Sequence, residues 1–207
     1  ASVACGKKEY CGLGAYLSEL RTDYMVADCA LGRVDVATGV RENPYEIDGV
    51  SKEKESYTVI TLTPASFTPN KTYRYTAVID GVEYTGQMAM HPFGNSYSAD
   101  IAAKSSGSSI AISLSDETTS CDLTAESVLT DTMIRAERAL EVAYTAQKAG
   151  YDAFKSGGKF NAEIYVRLIP NPIDNQGGYY WYVAACADTT VAALIDPNTE
   201  EIVAKRE

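Results

Sequence analysis

Histidine is almost absent from this chain of 207 residues, and the one present, His91, sits beside Pro92 in "AMHPFGN". A lone imidazole excludes His-rich zinc sites, and the five cysteines form no Cys-x-x-Cys pair to replace them. Any Ser-His-Asp or Cys-His nucleophile system would have to be built on His91, and no Gly-x-Ser-x-Gly elbow accompanies it. A histidine next to proline in a β-rich region reads as a surface residue. No phosphate loop or dinucleotide fingerprint occurs, since Gly12-Leu13-Gly14 lacks the third glycine. No run approaches the ~20 apolar residues of a membrane helix. Positive charge is also scarce. Eighteen Lys and Arg face 28 Asp and Glu, a net charge of −10, the opposite of a phosphate-binding surface. The acidity is spread evenly along the chain and reads as a solubility feature.

These gaps lead to an expectation of no resident cofactor, no metal, no nucleic acid and no catalysis. Calcium fails on detail: Asp196, Asn198, Glu200 and Glu207 follow an EF-hand count, but Glu201 stands where glycine is required and Pro197 occupies the second position. Carboxylate pairs of the glycosidase kind stay open, because Asp and Glu are plentiful and sequence spacing does not fix their separation.

What remains is an ordinary globular composition, 45% hydrophobic and 22% charged. Between residues 30 and 115, β-branched and aromatic runs at 57–64, 71–90, 96–103 and 109–116 alternate with turn residues, the rhythm of a β-sandwich. Asp80-Gly81 predicts a two-residue type I′ hairpin. In the strand before it, Tyr73, Tyr75, Ala77 and Ile79 share one face. Asp48-Gly49 is a second candidate turn. The stretch 12–39 is ambiguous, with Leu13, Leu17, Leu20 and Tyr24 at helical spacing and "RVDVATG" reading as strand.

A polar stretch at 113–127 marks a domain boundary, placed between 118 and 119. Beyond it, Leu129, Met133, Ala136, Leu140, Ala143 or Tyr144, Gln147, Tyr151 and Phe154 recur at steps of three and four. That stripe predicts one long amphipathic helix, interrupted only by Gln147, with Thr124 as N-cap, Lys155 in its last turn and Gly157-Gly158 as its stop. Strand-like runs follow at 160–169, 179–187, 190–195 and 201–205. The fold expected is an all-β sandwich, immunoglobulin-like (1–118), followed by an α+β domain with one long helix on an antiparallel sheet (119–207).

"GGYYWYVAAC" (177–186) is the one local feature above background. Strand alternation puts Tyr179 and Trp181 on one face, Tyr180 and Tyr182 on the other. One face must pack on the helix. Tyr180, Trp181 and Tyr182 are therefore the candidate binding residues, with packing as the competing use. Asn70-Lys71-Thr72 is a glycosylation sequon at a turn.

"LTAESVLTDTMIRAERALEVA" followed by strands and "AALIDPNTEEIVAKRE" resembles a PepSY-like domain, within the wider cystatin-like group. Asp196, Thr199, Glu201 and Ile202 match the family's last hairpin, and Glu200 stands where glycine is usual. The resemblance covers residues 124–207 and implies a helix on a small antiparallel sheet, an exported setting and, for some members, restraint of peptidases. Asp196 is placed to cap the turn and Pro197 to preset φ. The first part is similar to the immunoglobulin-like sandwich of a bacterial surface protein. Ser2-Val3-Ala4-Cys5-Gly6 is similar to a bacterial lipoprotein processing site, with Ser2 standing where leucine is usual. Cys5 is thus a candidate lipid attachment, the alternative being a buried thiol. With Cys5 set aside, Cys11, Cys29, Cys121 and Cys186 have three ways to pair.

The expectation is a non-catalytic extracellular or bacterial cell-envelope binding protein making protein or glycan contacts at the cell surface. The alternatives are a peptidase inhibitor or modulator and a carboxylate-based hydrolase.

Overall fold

The computed structural model describes residues 8–46, 48, 50, 52–174 and 176–207. Two short 3-10 turns, Glu9–Gly12 and Gly14–Tyr16, precede β1 (Leu17–Cys29), β2 (Gly32–Glu42) and β3 (Lys54–Pro64). Then come β4 (Arg74–Ile79), β5 (Val82–Gln87), β6 (Ala89–Met90), β7 (Tyr97–Ile101), β8 (Ser109–Ser115) and β9 (Ser120–Ser127). Two helices follow, α1 (Ala136–Ala146) and α2 (Lys148–Ala153). The chain closes with β10 (Lys155–Ser156), β11 (Lys159–Phe160), β12 (Glu163–Pro170), β13 (Tyr179–Cys186), β14 (Thr190–Ile195) and β15 (Ile202–Arg206). The fold is mostly antiparallel β-sheet. Among the described residues, no helix is long and apolar enough to cross a membrane.

The chain forms two compact units. Unit 1 holds Ala1–Thr22, Val40–Glu55 and Thr130–Glu207, and unit 2 holds Asp23–Gly39 and Ser56–Leu129. A boundary at 118/119 is not what the contacts give. Residues 120–127 alternate Cys121, Leu123 and Ala125 inward, so they pair as β9 with β8 and stay in unit 2. Thr124 accordingly lies within β9 and caps no helix. The helical alternative for 12–39 is displaced by β1 and β2, and the Asp48-Gly49 turn and Cys5 involve positions outside the described residues.

Unit 2 is built from β-hairpin logic. Asp80 and Gly81 both have positive φ, 50° and 81°, and join Ile79 to Val82 across β4–β5 as a two-residue loop. Tyr73, Ala77 and Ile79 point into a core shared with Met25, Ile60, Tyr97 and Ile112, while Val78 points out. The alternation read from "YRYTAVI" is thus the one that buries this strand's apolar face.

Unit 1 carries the helices. α1 begins only at Ala136, because Leu129 and Met133 lie in the connection from β9; there Ile134 N–H donates to Pro197 O at 2.9 Å. Ala136, Ala139, Leu140 and Ala143 form its buried face. The single long helix is replaced by two. Gln147 leaves helical geometry (φ −117°, ψ 32°) and separates α1 from α2. Gly157 and Gly158, with φ of 58° and 75°, turn the β10–β11 hairpin between Ser156 and Lys159 and do not follow the helix directly. The sheet of unit 1 runs β15–β14–β13–β12–β1. It is antiparallel from β15 to β12, but β12 pairs with β1 in parallel, Leu17 opposite Ile164.

Gln147 explains the one polar step in the helical stripe. Its side chain is buried, and its amide nitrogen donates to Ala192 O of β14 at 3.2 Å and to Arg206 O of β15 at 2.9 Å. The amide therefore ties the helices to the last two strands. Replacing it by leucine keeps the volume and removes both bonds, at an expected cost of about 2 kcal/mol. Hydrogen exchange should show the loss concentrated in β15; uniform loss across unit 1 would contradict this role.

The closing hairpin is made by local chemistry. Asp196 Oδ1 accepts the backbone N–H of Asn198 at 2.7 Å and of Thr199 at 3.3 Å. Glu200 adopts φ 62°, the left-handed geometry its glycine-like position demands, and its carboxylate accepts Arg138 Nε at 3.0 Å.

Candidate functional site

Strand register sorts the sheet of unit 1 into two faces. On the helix side, Leu168, Trp181 and Ile195 stand opposite one another across β12 to β14. On the other face, one row is Arg167, Tyr182, Leu194 and Ala204, and the next is Tyr165, Ala184, Ala192 and Arg206. Side chains two apart along a strand share a face, so these rows form one surface.

Trp181 is fully buried, and its indole N–H donates to Ile134 O at 3.0 Å. It is core, not contact surface. Tyr180 and Tyr182 are half-buried on the opposite face. Tyr182 lines a groove of about 330 Å³ with Ile173, Ala192, Leu194, Ala204 and Arg206. Arg167 and Arg206 both act on its phenol: burial pushes the Tyr182 pKa up, and the two guanidinium groups pull it partway back. β15 forms the end of this sheet, pairing with β14. The groove therefore sits beside a strand edge, with Lys205 and Arg206 at its rim, on a chain of net charge −10.

Toward β1 the same face becomes polar. Arg167 pairs with Glu19 and donates to the Tyr45 hydroxyl, while its guanidinium carbon lies 4.7 Å from the Tyr165 ring centroid. Arg21 also reaches Glu19, at 3.3 Å. Burial pushes the Tyr165 phenol well above its ordinary range, and its oxygen lacks a hydrogen-bond partner among the described residues.

Beneath this layer lies a carboxylate pair. The Ser18 hydroxyl is 3.0 Å from Glu42 Oε1 and 3.0 Å from Glu163 Oε1. Lys52 N–H also donates to Glu42 Oε1, at 2.8 Å. The hydroxyl carries one proton and can donate to one carboxylate at a time. All three side chains are sealed: Ser18 and Glu163 are 0% exposed, Glu42 is 1%. Two carboxylates converging on a hydroxyl look like acid–base machinery, yet at this exposure no substrate reaches them. The trio works as a polar lock between β1, β2 and β12.

Sequence reasoning missed both the arginines on this face, Arg206 of the groove and Arg167 beside Glu19, and this trio. Arg167 and Arg206 were legible in principle, because Tyr182 fixes the outward phase and the 196–201 hairpin fixes the register of β14 and β15. The trio had no signal, since positions 18, 42 and 163 are joined only by tertiary pairing. Among the described residues, no group of three or more His, Cys, Asp or Glu side chains is placed to hold a metal ion. His91 is far from this face in the chain, next to β6, where its Nδ1 accepts Phe93 N–H at 3.2 Å. Cys11 is disulfide-bonded, while Cys29, Cys121 and Cys186 are free thiols, so the four cysteines do not pair among themselves.

No family model matches the chain, and neither a curated protein nor a solved structure is significantly similar to it.

Proposed function

We propose that this chain is a non-catalytic binding protein whose contact surface is the outward face of β12–β15. Its ligand is an extended, acidic segment of a partner protein. The observation that carries this reading is the apolar groove at Tyr182 lying against the β15 edge, with Lys205 and Arg206 beside it. An added strand would take main-chain hydrogen bonds from the edge and place alternate side chains in the groove. Arg206 at the rim, beside Lys205 whose ammonium pairs with Glu207, favours glutamate or aspartate in that segment. An exported setting at the cell surface or envelope is part of the proposal, supported by the Cys11 disulfide and by the resemblance of the closing hairpin to PepSY-like domains. The strands of unit 2 support an immunoglobulin-like sandwich, and the helices on the sheet of unit 1 support the PepSY-like reading. Restraint of a peptidase would use the same edge.

The test uses a short fluorescent peptide alternating glutamate and valine. Binding measured by polarisation should weaken at least about tenfold in Tyr182→Ala and in the double variant Lys205→Glu/Arg206→Glu. A peptide alternating lysine and valine should bind far more weakly. Equal binding of the two peptides, or indifference to both variants, would remove the surface. Selective retention on a glycan array, abolished by Tyr182→Ala, would replace the peptide with a sugar.

A further inference from the structure

Among the described residues three cysteines are free, and two of them, Cys29 and Cys121, pack against the same core. β1 and β9 run antiparallel, with Met25 opposite Ser127 and Val26 opposite Glu126, which carries the end of β1 toward the start of β9. Cys29 closes β1 and Cys121 is the second residue of β9. Both pack, half-buried, against the core of unit 2, and their thiols lie within hydrogen-bonding reach of each other. Cys186 belongs to unit 1. Cys11 is already disulfide-bonded.

We propose that Cys29 and Cys121 form a redox site of unit 2, closed to a disulfide by a small-molecule disulfide oxidant such as oxidised glutathione. One cysteine, giving up its proton, attacks a sulfur of the oxidant; that S–S bond breaks and one glutathione leaves with the proton. The second cysteine, giving up its proton, attacks the protein sulfur of the resulting mixed disulfide; the protein–glutathione S–S bond breaks, the protein S–S bond forms, and the second glutathione leaves with the proton. Two electrons pass from the cysteine pair to the oxidant, yielding two molecules of reduced glutathione. Burial, and then the neighbouring Cys29, push the Cys121 thiol up to about 11. Strands β2 to β8 all lie between the two positions, so the bridge would restrain nearly the whole unfolded unit.

The full chain, folded and treated with oxidised glutathione, is alkylated and digested without reduction. The expected result is a peptide linking Cys29 to Cys121, with Cys186 still outside that link. The oxidised protein should melt roughly 5 °C or more above the Cys29→Ser/Cys121→Ser double variant. In Cys29→Ser alone, Cys121 should carry glutathione or an alkyl group and no link. Alkylation of both cysteines after oxidation, separate glutathione adducts on each, a link to Cys186, or a bridge that lowers the melting temperature would each overturn the proposal.

Discussion

Trp181→Ala is expected to cost about 4 kcal/mol, among the largest losses any single side chain of unit 1 can produce. Trp181 is fully buried, and it stands in the helix-side row with Leu168 and Ile195. Its removal opens a cavity that the flanking strands cannot close without breaking register. It also orphans Ile134 O in the connection that leads into α1. Trp181→Phe separates the two effects: most of the volume stays, the indole donor goes, and about 1–2 kcal/mol is expected. Because Trp181 is the only tryptophan, the unfolding curve must be followed by circular dichroism instead of intrinsic tryptophan fluorescence. A loss under about 1 kcal/mol for the alanine variant would mean that this face is not the core.

Ser18→Ala is expected to cost about 3 kcal/mol, although it deletes a single oxygen. The hydroxyl lies at 3.0 Å from two buried carboxylates, so its loss withdraws the one proton they share while neither gains water. The diagnostic is the double variant Ser18→Ala/Glu163→Gln. An amide at position 163 removes one negative charge and offers its own N–H toward Glu42. The double variant should therefore be more stable than Ser18→Ala alone. If chemical denaturation finds it equal or worse, the shared donor is not what holds the trio together.

How much of this was legible in the sequence depends on how local the cause is. Asp80-Gly81 specified its hairpin, because positive φ at two adjacent residues is a demand that few pairs meet. Asp196 and Pro197 specified the closing turn by a different local cause, a side-chain cap on the turn N–H groups and a preset φ, and Glu200 adopts left-handed geometry where glycine is usual. The alternation at 179–182 separated Trp181 from Tyr180 and Tyr182 before any contact was known. The helix starts later than Thr124 suggests because residues 120–127 carry strand alternation. Cys121, Leu123 and Ala125 alternate inward, and pairing with β8 outweighs the helical signal of Thr124. Gln147 looked like a flaw in an apolar stripe, and its reason lies on β14 and β15, some 45 and 59 positions away. The division into units was equally hidden. β1 pairs with β12 through its first half and with β9 through its second, and only the paired strands reveal that.

The most direct test of the binding face is hydrogen exchange on the chain with and without the glutamate–valine peptide. Strand addition predicts slowed exchange in β15 on binding, reversed by Lys205→Glu/Arg206→Glu. Protection confined to unit 2, or binding that leaves β15 exchange unchanged, would contradict it.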